Sequence, residues 1–186
     1  MLLGIVGKKG SGKSTLAKML VEVCYPTDKV FIISLSDFIV EDLKQILGIE
    51  EIDIEKKREN PMFRALLQSW GTTRKELSGQ SYWLDQVCLS MPGEGVDKYH
   101  FIVPSIRYQY EADWILANKG ALVSITGRVE KTGVEEIDNH HSESEVSTIT
   151  GISYTVENNK NMNWLKLEAK NIKELILCTP TPPSKK

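Results

Sequence analysis

Cysteine is scarce: Cys24, Cys88 and Cys178 are the only three in 186 residues. They lie far apart with no C-x-x-C pair, so they frame neither a disulfide scaffold nor a zinc site. They read instead as small buried hydrophobes of a reducing compartment. Long apolar runs are missing too. None approaches the roughly 20 residues that span a bilayer. The opening run Met1–Val6 is too short, and too soon followed by glycine and lysine, for a signal peptide. A surplus of positive charge is also absent: 23 Lys+Arg against 25 Asp+Glu give −2, leaving no global field to draw nucleic acid or an anionic membrane. These absences predict a soluble cytoplasmic protein with neither nucleic acid nor membrane as partner. Internal repeats are also lacking.

What is there is ordinary in bulk, with 41% hydrophobic and 26% charged residues, which excludes a disordered or fibrous chain. Apolar runs sized for buried strands occur at Met1–Val6, Val30–Leu35, Tyr99–Val103, Ala121–Thr126 and Ile152–Val156. Helical spacing falls between them. Leu16, Met19, Leu20 and Val23 mark a helix over Ser14–Cys24. Asp37 opens a second, to Leu47, with Gly48 as its stop. Asn60-Pro61 starts a third carrying Phe63, Leu66, Leu67 and Trp70, with Gly71 as its expected stop. Further helices are expected over Ser81–Leu89, Tyr110–Asn118 and Trp164–Leu177. Alternating strands and helices predict an α/β three-layer sandwich around a central five-stranded parallel sheet. One domain is expected over 1–178, and the Pro-rich tail 179–186 (TPTPPSKK) reads as disordered.

The string Gly7-Lys8-Lys9-Gly10-Ser11-Gly12-Lys13-Ser14 fits G-x-x-x-x-G-K-[ST] without a mismatch. Its glycines let backbone N–H groups converge on a phosphate without Cβ clashes. The helix that follows turns its N-terminus to the anion. Lys13 reaches β- and γ-phosphates and Ser14 ligates Mg²⁺. The motif lies between a predicted strand and a predicted helix, as the fingerprint requires, so a glycine turn that binds nothing is a poor alternative. Thr15 is a further phosphate contact. Lys8 and Lys9 read more readily as solubilising loop residues, although Lys9 falls inside the nucleotide-binding run.

A phosphate loop fixes a nucleotide, not an acceptor. Ligands of open α/β sheets sit beyond the carboxyl ends of the strands. Asp37 follows the second strand, where it can serve as a helix N-cap, a Mg²⁺ or substrate contact, or both. Arginine forks clamp phosphates, and Arg64, Arg74, Arg107 and Arg128 are the candidates. Arg107 and Arg128 follow strand ends. Arg64 and Gln68 share one helix face at i, i+4. Trp70, Tyr82 and Trp83 can stack on a base, although helical aromatics are more often core. The His140-His141-Ser142-Glu143 run is a weak metal signal without further ligands.

In their order, these pieces resemble the phage deoxynucleoside monophosphate kinases, within the P-loop nucleoside monophosphate kinase group. The likeness spans nearly the whole chain. It is carried by GKKGSGKST (Gly7–Thr15), SLSDFIVEDLK (Ser34–Lys44), RALLQSWGTTR (Arg64–Arg74) with Trp83, IRYQYEAD (Ile106–Asp113), ITGR (Ile125–Arg128), HHSE (His140–Glu143) and YTVENN (Tyr154–Asn159). The resemblance implies transfer of the ATP γ-phosphoryl group to a deoxynucleoside monophosphate, with ATP and Mg²⁺ as cofactors. It makes 48–98 a helical monophosphate-binding insertion and 127–150 a lid-like segment. It places Arg64, Gln68, Arg74 and Trp83 on the monophosphate, with Arg107 and Glu111 beside it. Arg128 falls on the transferring phosphate and Glu143 orders the lid. A phage origin would put the chain in the host cytoplasm. Homodimerisation is left open.

One position departs from that pattern. Relatives place an aspartate after the third strand, where this chain has Ser105. A hydroxyl can bind a Mg²⁺-bound water but adds no charge, so either Asp37 compensates or metal affinity falls. The alternatives are an ATP-dependent kinase of another small acceptor, which would share the phosphate loop and the arginine clamps, and a catalytically decayed nucleotide-binding protein, which the missing aspartate supports. A nucleic-acid motor fits poorly with the neutral charge.

Overall fold

In the computed structural model, residues 1–24, 29–48, 60–91, 99–128 and 144–178 are described. The strands are β1 (Leu2–Val6), β2 (Lys29–Ile32), β3 (Tyr99–Ile106), β4 (Ala121–Gly127) and β5 (Tyr154–Asn158). They form one sheet in the order β2-β3-β1-β4-β5, and every pairing is parallel. The predicted three-layer α/β sandwich around five parallel strands is thus the observed fold. The helices are α1 (Lys13–Met19), α2 (Leu35–Leu47), α3 (Pro61–Ser78), α4 (Tyr82–Ser90), α5 (Gln109–Ala117) and α6 (Met162–Cys178).

β1 shows why the sandwich has two cores. Its side chains alternate between faces. Leu3 and Ile5 join Leu16, Leu20, Leu165 and Ile172 on the side of α1 and α6. Leu2 and Val6 join Trp83, Leu84, Ala112 and Ile115 on the side of α2, α4 and α5. Residues such as Leu3, Ile5, Ile115 and Leu165 are almost wholly buried, each worth about 1.5–3 kcal/mol of transfer free energy. Gly4 lies where a Cβ would come within 2.8 Å of Leu122, so the close approach of β1 to its neighbours needs glycine there.

Several boundaries differ from the sequence reading. β2 ends at Ile32 rather than Leu35, because Ser34 takes an extended N-cap conformation and Leu35 turns inward as the first residue of α2. The first helix is α-helical only to Met19 and continues as a π turn over Leu20–Cys24, keeping Leu20 buried. The expected stop at Gly71 is wrong. Asn60 does cap α3, its side chain accepting from Met62 and Phe63 N–H, but the helix runs through Ser78 to a C-cap at Gly79 (φ 103°). Gly71 is buried mid-helix against Ile39 of α2, and its carbonyl accepts the indole N–H of Trp83 at 3.0 Å. Those contacts outweigh the ~1 kcal/mol penalty of an interior glycine. The expected insertion over 48–98 is described only at Gly48 and over 60–91. Most of the expected lid (129–143, with Glu143 and both adjacent histidines) and the tail 179–186 lie outside the described residues. Among the described residues no helix is long and apolar enough to cross a membrane.

Candidate functional site

The loop from β1 to α1 is shaped by three glycines. Gly10 and Gly12 adopt left-handed backbone (φ 72° and 100°), which a side chain would strain. A Cβ on Gly7 would come within 2.6 Å of Ile125 O. The Asn158 amide, at the end of β5, donates to Ser11 O at 2.8 Å and ties the loop to the far side of the sheet. A Cβ on Gly12 would collide with that amide. The Lys13 ammonium donates to the carbonyls of Gly7 (2.6 Å) and Lys8 (2.8 Å), which holds it at the loop's mouth.

A cleft of about 350 Å³ opens beside this loop at the carboxyl ends of β1, β2 and β3. Lys9, Gly10, Lys13 and Ser14 form its first wall. Ser34, Leu35, Ser36 and Ile39 come from the start of α2, and Ser105, Arg107 and Glu111 from the end of β3 and the start of α5. Arg64, Gln68, Gly71, Thr72 and Lys75 contribute one continuous stripe of α3, and Trp83 lies behind them. The spacing i, i+4, i+7, i+8, i+11 is that of a single helix face.

The electrostatics of the cleft are cationic. Among the described residues, Lys9, Lys13, Arg64, Lys75 and Arg107 line it, against one carboxylate, Glu111. Glu111 is buried, and its Oε2 accepts from Arg107 N (2.8 Å) and Tyr108 N (3.2 Å), capping α5. Burial pushes its pKa up to about 7, against the opposing pull of those two N–H groups and of the Lys75 and Arg107 charges. Burial also lowers the Lys75 pKa, opposed by Glu111, Glu145 and Glu76. The Lys75 ammonium lies 3.8 Å from the centroid of Tyr108, which stacks on Tyr110. Beyond Lys75 a second cavity of about 530 Å³ extends past Thr72, Tyr108, Tyr110, Asp113 and Glu145.

The structure therefore brings Lys9, Gly10, Lys13, Ser14, Arg64, Gln68, Trp83, Arg107 and Glu111 around one cleft. Gly7, Ser11, Gly12 and Thr15 frame the loop behind it. Four expected residues lie elsewhere. Asp37 is solvent-exposed and does not line the cleft. Arg74 turns to α2 and α4: its Nη2 donates to Asp42 Oδ1 at 3.3 Å, its Nε lies 3.2 Å from Oδ2, and its guanidinium sits over the Tyr82 ring. Trp70 also donates to Asp42, at 2.8 Å, so it is an inter-helix tie rather than a base platform. Arg128 is exposed and donates to Lys160 O at 3.3 Å.

Sequence reasoning missed Thr72 and Lys75, which the same helical spacing would have found had α3 not been cut at Gly71. It also missed Asn158, Ser34 and Ser36. Ser105 has an unexpected partner: its hydroxyl accepts the N–H of Leu35, the first residue of α2, at 2.9 Å.

A phosphate-binding loop between β1 and α1, in a parallel sheet ordered 2-3-1-4-5, makes this a P-loop nucleotide-binding fold of the α/β class. No family model matches the chain. It is 28% identical over 187 residues, covering 86% of this chain and 89% of the other, to a "Putative deoxynucleotide monophosphate kinase" of Acanthamoeba polyphaga mimivirus. Among solved structures, that of APE1195 aligns with TM-score 0.50 at 10% identity over 96% of each chain. Shikimate kinase from Aquifex aeolicus vf5 aligns with TM-score 0.48 at 15% identity, covering 95% of this chain and 96% of that one.

Proposed function

We propose that the chain is a phosphotransferase that moves the γ-phosphoryl group of ATP to a deoxynucleoside monophosphate. The observation that carries this reading is the stripe Arg64, Gln68, Thr72 and Lys75 facing Lys13 and Ser14 across a single cleft. One wall suits the donor's phosphates, and the opposite wall offers two cations and two neutral hydrogen-bonding groups to a second anion. The mimivirus relative supports the deoxynucleotide part of the reading, but nothing restricts the chain to phages.

The chemistry asks little of the protein. The acceptor oxygen is already anionic, so no covalent nucleophile or strong base is needed, and catalysis is positioning plus charge neutralisation. Lys13 answers the β- and γ-phosphates, while Arg64 and Arg107 orient the acceptor phosphate. Trp83, held by its bond to Gly71, closes the cleft from behind. The cleft's donor set fits Mg²⁺ arriving on the nucleotide: Ser14 supplies a hydroxyl ligand, and hydroxyls rather than acids line the neighbouring strand ends. When bound, the ion would offset negative charge on the nucleotide's phosphates. Ser105 has a structural task, accepting the N–H of Leu35 at the start of α2, so its presence needs no catalytic decay to explain it.

The test is a coupled ADP-release assay with ATP, Mg²⁺ and each of the four deoxynucleoside monophosphates in turn. The expected outcome is release that depends on at least one of them. ATP binding with no turnover on any would defeat the proposal and favour another phosphorylated acceptor.

A further inference from the structure

We propose that no carboxylate among the described residues holds the divalent cation of this site, and that hydroxyls face it instead: Ser14 on the loop, Ser34 and Ser36 beyond β2, and Ser105 at the end of β3. This rests on the nucleotide-binding reading above and concerns how that site handles its metal.

Mg²⁺ in phosphoryl-transfer sites is ordinarily bound through one or two carboxylates together with substrate phosphates. The strand ends that would supply those acids here carry serines. Glu111, the one acid lining the cleft among the described residues, has both oxygens engaged: Oε2 by two backbone N–H groups and Oε1 by the Tyr110 hydroxyl at 3.3 Å. Asp37 is exposed and outside the lining. Among the described residues, no three His, Cys, Asp or Glu gather to hold a metal.

The hydroxyls are fixed rather than loose. Ser105 Oγ accepts from Leu35 N at 2.9 Å, which leaves it a second lone pair and its own proton. Ser34 and Ser36 share a hydrogen bond of 2.9 Å. Such groups can receive the waters of a hydrated ion without adding charge. Charge comes from the other side of the ledger, since five cationic side chains line the cleft. They neutralise phosphate directly, so the metal adds little to nucleotide binding and enters on the phosphates instead of waiting on the protein.

Calorimetric titration of the full chain with ATP, without acceptor, in excess Mg²⁺ and again in EDTA, tests this. The two dissociation constants are expected to agree within about threefold. Ser105→Asp places an acid at the end of β3 that can keep the Leu35 bond with one oxygen and offer the other to the ion. Its ratio of EDTA to Mg²⁺ dissociation constants is expected to exceed the wild-type ratio by at least about threefold. Ser34→Asp, at a helix N-cap position where aspartate is well tolerated, provides the same measurement should the first variant not fold. A wild-type affinity that falls more than about threefold in EDTA would overturn the proposal, because the cation would then contribute materially to nucleotide binding instead of arriving on phosphates that the cationic side chains already neutralise. An unchanged ratio in the folded variant would overturn it as well, because the serines would not face the ion. Failure of the acceptor reading looks different: every monophosphate would be inert in the ADP-release assay while this acceptor-free titration stands. ATP that bound in neither buffer would remove the nucleotide site and this proposal with it.

Discussion

The indole N–H of Trp83 donates to the carbonyl of Gly71, 3.0 Å away and twelve residues earlier in the chain. That bond fastens α4 to the middle of α3 and sets the back of the cleft. Trp83→Phe keeps most of the apolar area and removes the donor. It should cost about 1 kcal/mol of stability, the usual net worth of a neutral hydrogen bond, and raise the acceptor's KM while leaving that of ATP unchanged. Urea unfolding and steady-state kinetics on both substrates check this. An equal rise in both KM values would mean that Trp83 supports the whole fold rather than the acceptor side.

The same bond explains where the sequence was readable and where it was not. The phosphate loop is local: glycine spacing and the strand and helix around it are legible in one stretch. Strand positions followed from apolar run length, and the α/β class followed from their alternation. Gly71 misled because the rule that glycine ends helices is also local, whereas Trp83 and Ile39 hold that turn from other helices. With α3 expected to end at Gly71, Thr72 and Lys75 fall outside the expected cleft, whereas Arg74 enters it only through the family resemblance. The Ser105–Leu35 and Asn158–Ser11 bonds span 70 and 147 residues, and no periodicity announces such pairings.

Arg64 and Arg74 should separate cleanly. Arg64 lines the cleft, whereas Arg74 is engaged with Asp42 and Tyr82. Arg64→Ala is expected to raise the acceptor's KM roughly tenfold or more, on the scale of a lost charge-assisted contact. Arg74→Ala should change it by much less and act chiefly on the melting temperature, through the α2–α3 junction. Acceptor titrations of the two variants decide. A larger KM effect from Arg74 would put its guanidinium on the substrate.

Glu111 should leave a signature in stability against pH. Burial raises its folded pKa to about 7 from the ordinary 4.5, so between those values the folded state binds more protons than the unfolded one. Stability then falls as pH rises through that window, and the loss is complete above pH 7. The magnitude is on the order of a few kcal/mol at most. Glu111→Gln keeps an oxygen for the Arg107 and Tyr108 N–H groups but cannot ionise, so its stability should be flatter between pH 4.5 and 7. Denaturant midpoints of both proteins at pH 5 and pH 8 give the comparison. Parallel pH dependence in the two would show that the carboxylate is not desolvated.

Asn158 controls the phosphate loop from a distance. Its amide donates to Ser11 O in a buried contact, and it packs against the one face of Gly12 that must stay bare. Asn158→Leu removes the donor and leaves the Ser11 carbonyl buried without its partner, which costs roughly 1–3 kcal/mol. The cost falls on the loop conformation that receives phosphate. ATP affinity should therefore drop by about tenfold or more, while acceptor affinity, set on α3, changes little. Lys13→Ala provides the contrast. It removes the charge at the loop's mouth, so turnover should fall at least about a hundredfold, as when a preorganised transition-state donor is lost, with a smaller effect on ATP binding. If Asn158→Leu instead lowered turnover with ATP affinity intact, β5 would be shaping the transferring phosphate rather than the resting loop.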